Sequence, residues 1–124
     1  MMDRRALVSV VDDDESVRES LPDLLREFGF DVRAFASAEE FLSSGSLGHT
    51  DCLVLDIAMP GMSGLDLQRE LMLRGQKIPI IFITAHGDAR TRPQVLQQGA
   101  VECLFKPFSE TALREALDAA IRVN

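Results

Sequence analysis

The residues with the most chemical potential in this 124-residue chain stand directly after short apolar runs. Asp12 and Asp13 follow residues 6–11, Asp56 follows 52–55, Thr84 follows 78–83, and Lys106, one of two lysines, follows 101–105. In an open parallel sheet, ligands bind beyond the carboxyl ends of the strands. If the runs are such strands, three carboxylates, a hydroxyl and an ammonium lie along one edge. Carboxylates brought that close repel, and each raises its neighbours' pKa unless a cation compensates. An all-oxygen donor set with no His or Cys suits a hard divalent ion. A few carboxylates plus water suit Mg²⁺, with Mn²⁺ as a substitute. A metal, an ammonium and a hydroxyl aimed at one edge would also hold a phosphoryl group, and a carboxylate beside them could be its nucleophilic acceptor.

Taken singly, each residue has a plainer reading. Acidic residues after a strand often cap helices, so Asp14 and Glu15 are read as the first turn of a helix rather than as ligands. Asp56 alone could shape a loop turn, Thr84 could cap the turn behind it, and Lys106 could be an ordinary surface lysine. The coincidence of all of them at the ends of similar runs is what favours a shared site.

The elements that must position them alternate along the chain. A further apolar run at residues 32–35 makes five candidate strands. Three of them, residues 7–11, 53–55 and 80–83, are nearly continuous rather than alternating, as strands covered on both faces must be. They belong in the middle of a parallel sheet. Between the runs lie helix-period segments. Residues 16–28 carry Val17, Leu21, Leu24, Leu25 and Phe28 on one stripe before Gly29, with Pro22 inside it as an expected kink. Ser37-Ala38-Glu39-Glu40 reads as a capping box. A third helix opens near Ser63 and stops at Gly75, and a fourth has Pro93 in its first turn and ends at Gly99. A fifth runs from a Ser109 cap through Leu113, Ala116, Leu117, Ala120 and Ile121. Five strand and helix alternations predict an α/β fold, a doubly wound three-layer sandwich with right-handed crossovers.

Composition bounds the function. The length fits one domain, residues 1–124, with no linker, and 46% hydrophobic with 27% charged residues describes an ordinary globular chain. Thirteen Lys and Arg against 20 Asp and Glu give a net charge of -7, which opposes binding to a nucleic-acid backbone. Cys52 and Cys103 lie apart in apolar surroundings without metal-site spacing, so they read as buried thiols of a reducing compartment, the cytoplasm. The apolar run 6–11 is too short for a leader or a membrane span and stops at Asp12-Asp13-Asp14-Glu15.

With these residues in place, the chain resembles the receiver domain of bacterial two-component response regulators, over essentially its whole length. The markers are Val10-Val11-Asp12-Asp13-Asp14, then Leu55-Asp56-Ile57-Ala58-Met59-Pro60-Gly61-Met62-Ser63-Gly64, Ile83-Thr84-Ala85-His86-Gly87-Asp88 and Phe105-Lys106-Pro107-Phe108. Their wording is most similar to the FixJ-like subgroup, whose receivers usually precede a LuxR-type helix-turn-helix. The resemblance implies a CheY-like (flavodoxin-like) fold with strand order 2-1-3-4-5. It implies that Asp56 accepts a phosphoryl group from the phosphohistidine of a sensor histidine kinase. Mg²⁺ would be held by Asp13 directly, by Asp12 largely through water, by Asp56 and by the backbone carbonyl of Ala58. Lys106 would pair with the phosphoryl oxygens, and Thr84 would hydrogen-bond the group and draw its loop inward. The Lys106-Pro107 bond would be cis. Helix four, strand five and helix five would form a homodimer face, and DNA would be reached only through an output domain absent from this chain. On this reading the chain is the amino-terminal half of a transcription regulator; a stop codon directly after Asn124 would overturn that.

One departure stands out. Many receivers carry Tyr or Phe three residues before the lysine, a ring that rotates when the threonine moves, whereas this chain has Cys103 there. Cys103 reads as a buried small hydrophobe, and Phe105 and Phe108 are near enough in sequence to contribute differently. His86, two residues after Thr84, either orients a water at the phosphoryl group or is a plain loop residue. His49 has only the loop reading, and Met59 and Met62 are packing residues.

Three rivals fit less well. An aspartyl phosphatase needs D-x-D-x-[TV] after the first strand, and Asp12-Asp13-Asp14-Glu15-Ser16 departs from it. A flavodoxin needs a hydroxyl-rich phosphate loop where this chain has four acids. An interaction module without phosphorylation would have no use for Asp13, Asp56, Thr84 and Lys106 together. The expectation is therefore a switch that turns over no metabolite and is not an enzyme beyond gaining and losing its own phosphoryl group.

Overall fold

A computed structural model describes residues 5–121; the ends of the expected 1–124 domain lie outside the described residues. The elements are β1 (Leu7–Val11), α1 (Glu15–Glu27), β2 (Asp31–Phe35), α2 (Ala38–Ser43), a 3₁₀ turn (Leu47–His49), β3 (Cys52–Asp56), α3 (Gly64–Leu73), β4 (Ile80–Thr84), α4 (Thr91–Gln97), β5 (Glu102–Phe105) and α5 (Glu110–Ile121). The strands form one parallel sheet in the order β2-β1-β3-β4-β5, as expected. The three nearly continuous runs are its three central strands. Every residue of β1, β3 and β4 is buried, whereas the edge strand β2 is mostly exposed.

Side chains alternate across the sheet, so each central strand feeds two apolar layers. In β4, Ile80 and Phe82 enter the layer under α2, α3 and α4, while Ile81 and Ile83 enter the layer under α1 and α5. Cys52 and Val54 of β3 join the second layer, and Leu53 and Leu55 the first. The arrangement holds the carboxyl ends of three strands side by side, and a slip by one residue would exchange the side chains of the two packed layers.

Local rules account for most helix ends. Asp14 caps α1, its Oδ1 accepting from the Ser16 N–H at 2.9 Å and the Ser16 hydroxyl at 2.8 Å, as its cap reading required. Those hydrogen bonds hold its carboxyl below the usual carboxylate range. Pro22 does not break α1: the helix continues through it, and the ring is buried with Leu21 and Leu25. The expected capping box on α2 is half built, because Ser37 Oγ accepts from the Glu40 N–H but Glu40 reaches back to Ala36 N–H. The complete box is on α3, between Ser63 and Asp66. Ser63→Ala is expected to cost about 1 kcal/mol, read as a lower denaturant midpoint with an unchanged slope.

Candidate functional site

Three loops at the carboxyl edge of the sheet converge. Asp12 is fully buried at the end of β1, where its N–H donates to the Phe35 carbonyl at 3.1 Å. Its Oδ1 accepts from the Asp14 N–H at 2.9 Å, and its Oδ2 accepts from Lys106 Nζ at 2.8 Å. Asp13 is exposed beside it, and Asp56, at the end of β3, is 5% exposed. One carboxylate oxygen from each of Asp12, Asp13 and Asp56 lies within 4.8 Å of the others. Lys106 Nζ, beyond β5, is 3.9 Å from Asp56 Oδ2.

The charge balance is uneven. Burial first, then the Asp12 charge, push the Asp56 carboxyl up to about 7 against the pull of Lys106; a hydrogen bond with Asp12 and the Asp13 charge add to the rise. Burial by itself would lower the Lys106 pKa, but the hydrogen bond and charge of Asp12, with Asp56 and Asp14 beyond, hold it above its ordinary value. One ammonium thus faces three carboxylates. An all-oxygen donor set with charge left over is what a hard divalent cation fits.

Thr84 is buried at the end of β4, and the register sets its predecessor Ile83 opposite Asp56. Its Oγ1 accepts from the His86 N–H at 3.1 Å, so the threonine does shape the turn behind it. His86 itself is exposed. Ala58 sits two residues beyond Asp56 in the loop before α3, and is exposed. The Lys106-Pro107 peptide is cis. Cys103 is buried with Val95, Ala100 and Phe82, and burial raises its thiol pKa, with the Glu102 charge adding, as a small apolar core residue requires.

Four residues that support the site had no assigned role in the sequence. Gly64 donates its N–H to the Ile57 carbonyl at 2.9 Å, and a Cβ there would overlap the Asp56 carbonyl oxygen, so α3 can start directly against the end of β3 only with glycine at its first position. Glu39 of α2 accepts the Met62 N–H at 3.1 Å and ties down the loop that contains Ala58. Arg18 donates to the Asp12 carbonyl at 2.9 Å. Gly87 lies under the Phe105 ring. Of these, only the glycines carried a signal, their place within the marker segments.

A family model described as the response regulator receiver domain matches residues 8–118. The chain belongs to this family. Among its relatives, the response regulator protein TodT of Pseudomonas putida is 43% identical over 123 residues, covering 99% of this chain and 54% of that protein. Nodulation protein W of Bradyrhizobium diazoefficiens is 49% identical over 116 residues, covering 94% and 51%. The solved structure of FixJ-N superimposes with a TM-score of 0.85 at 39% identity, covering 100% of this chain and 98% of that one. The receiver domain spans about half the length of the curated relatives it matches. Its family makes it a signalling domain of two-component response regulators, and no helix among its described residues is long and apolar enough to cross a membrane.

Proposed function

We propose that Asp56 is the phospho-acceptor of this receiver domain. The observation that carries the reading is the convergence of Asp12, Asp13 and Asp56 within 4.8 Å, with Lys106 Nζ 2.8 Å from one carboxylate and 3.9 Å from another. An Asp56 carboxylate oxygen attacks the phosphorus of a phosphohistidine on a sensor histidine kinase. The new P–O bond forms as the P–N bond breaks, and the imidazole leaves with the electron pair. Loss of the group is attack of water on the same phosphorus, releasing inorganic phosphate and restoring the carboxylate.

Mg²⁺, or Mn²⁺ in its place, held by Asp13, Asp56, Asp12 through water and the Ala58 carbonyl, would offset the charge of the carboxylates and the incoming phosphoryl oxygens. Lys106 turns from Asp12 toward the phosphoryl oxygens, whose added negative charge outbids a single carboxylate. Thr84 donates its hydroxyl to the same group. The domain is then a switch that catalyses only its own phosphoryl gain and loss. In a longer cytoplasmic protein it would drive transcription regulation through an output domain outside this chain, with a homodimer forming on the α4, β5 and α5 face.

Intact mass after incubation with acetyl phosphate and Mg²⁺ tests the acceptor role. One base-labile phosphoryl adduct is expected, lost without Mg²⁺ and absent from Asp56→Asn. No adduct from acetyl phosphate or phosphoramidate, or an adduct that survives Asp56→Asn, would overturn it.

A further inference from the structure

Phe105 is a large apolar residue at the end of β5, 39% exposed and in neither core layer. Its ring nevertheless has a defined bed. A Cβ on Gly87 would overlap Phe105 Cε1, and would lie 2.8 Å from Cδ1 and 3.1 Å from Thr84 Cγ2. The ring edge and the threonine methyl therefore flank the same point above Gly87. That glycine is not among those in the left-handed region, so what it supplies is the missing Cβ. The register sets Phe105 opposite Thr84, and the Lys106 N–H donates to the Thr84 carbonyl at 2.8 Å, which fixes the two backbones together.

Thr84 carries Oγ1 and Cγ2 on one Cβ. A χ1 rotation that carries Oγ1 from the His86 N–H to a phosphoryl group on Asp56 swings the methyl by the same rotamer step. The methyl is one side of the bed, so its displacement leaves the ring either a gap or a clash. Phe105 also lines a groove of about 470 Å³ between α4, β5 and α5, with Arg92, Glu102, Ala112 and Ala119. A move of the ring reshapes one wall of that groove. Cys103, two residues earlier on the same face of β5, is buried in the layer below and has no ring to move.

We propose that Phe105, resting on Gly87 and the Thr84 methyl, is the side chain that carries phosphorylation of Asp56 to the groove between α4, β5 and α5. This rests on the acceptor role of Asp56 proposed above. The resting domain holds the ring down on Gly87, and the phosphorylated domain releases it into the groove wall.

Fluorine NMR of the chain carrying 4-fluorophenylalanine at its seven phenylalanines tests this, with Phe105→Leu assigning the Phe105 resonance. With acetyl phosphate and Mg²⁺, that resonance is expected to shift in step with the adduct followed by intact mass in the same sample, while the buried Phe41 resonance stays in place. In Gly87→Ala the new methyl displaces the ring, so the Phe105 resonance is expected to sit away from its wild-type resting position before any donor is added, and to change little on phosphorylation. A Phe105 resonance that stays put while the adduct is complete overturns the proposal and leaves the acceptor role standing. An unmoved resonance in resting Gly87→Ala overturns the bed. Absence of any adduct overturns the acceptor role, and this proposal with it.

Discussion

Lys106→Ala is expected to lower the stability of the metal-free domain by about 3 kcal/mol, the low end of the cost of breaking a buried ion pair by removing one partner. The side chain of Asp12 has no exposed surface and that of Lys106 is 19% exposed, so the 2.8 Å contact between them is shielded from solvent on most sides. Removing the ammonium leaves the Asp12 carboxylate with the Asp14 N–H but no cation, beside Asp56 and Asp13. The loss should appear as a fall in Tm on the order of ten degrees. Mg²⁺ should recover more of it in the variant than it adds to the wild type, because a cation bound by the same carboxylates replaces the missing charge. The same variant should form the Asp56 adduct more slowly, since the phosphoryl oxygens lose their partner. An unchanged Tm would mean that the Lys106 and Asp12 pair carries no net stabilisation.

The second large effect depends on pH. An acid whose pKa rises from 3.8 to about 7 on folding binds a proton more tightly in the folded state. Between those two values the folded domain holds a proton that the unfolded chain has lost, so stability falls as pH rises through that window and is level on either side. For one group the slope is at most about 1.4 kcal/mol per pH unit, and the whole effect is on the order of a few kcal/mol. Asp56→Asn removes the titration and the desolvated charge together. The metal-free variant is expected to match the wild type near pH 4 and to exceed it at pH 8, a crossing visible in Tm measured against pH for the pair. Taking the difference cancels the carboxylates remote from Asp56 and leaves the coupled cluster of Asp12, Asp13 and Asp56. Saturating Mg²⁺ should shrink the gap at pH 8, because the cation stabilises the wild type, with its third carboxylate, more than the variant. A variant less stable than the wild type at every pH would overturn this expectation.

Both effects have one source, which is that the fold gathers more negative charge at one edge than Lys106 offsets. That arrangement holds in the resting domain as a tension, and a divalent cation or a change at Asp56 acts on it. The Ser63 cap, at the start of α3, and Gly64 beside it keep the end of β3 where that tension is felt.

Much of this is legible in the amino-acid sequence. Continuous apolar runs can be satisfied only between two covering layers, so residues 7–11, 53–55 and 80–83 had to be interior strands, and the residues following them had to share an edge. Asp14 as a cap followed from the helix that begins beside it, a local preference that needs no knowledge of the rest of the chain. The set Asp12, Asp13, Asp56, Thr84 and Lys106 was legible for the same reason: its members are placed by strand ends, and strand ends are set by patterns a few residues long.

What only the tertiary structure decided involves residues far apart in the chain and close in space. Lys106 lies nearer Asp12 than Asp56, a choice made by the packing of the β5 loop against the end of β1. Glu39 holds the Met62 N–H from a helix 23 residues away in sequence. Gly64 and Gly87 matter through an atom they lack, against a carbonyl and a ring whose positions no local pattern specifies. Composition and periodicity record which side each residue faces. They do not record what stands opposite it, because that depends on the register between strands and on how two packed layers meet, and those are set by the whole core at once.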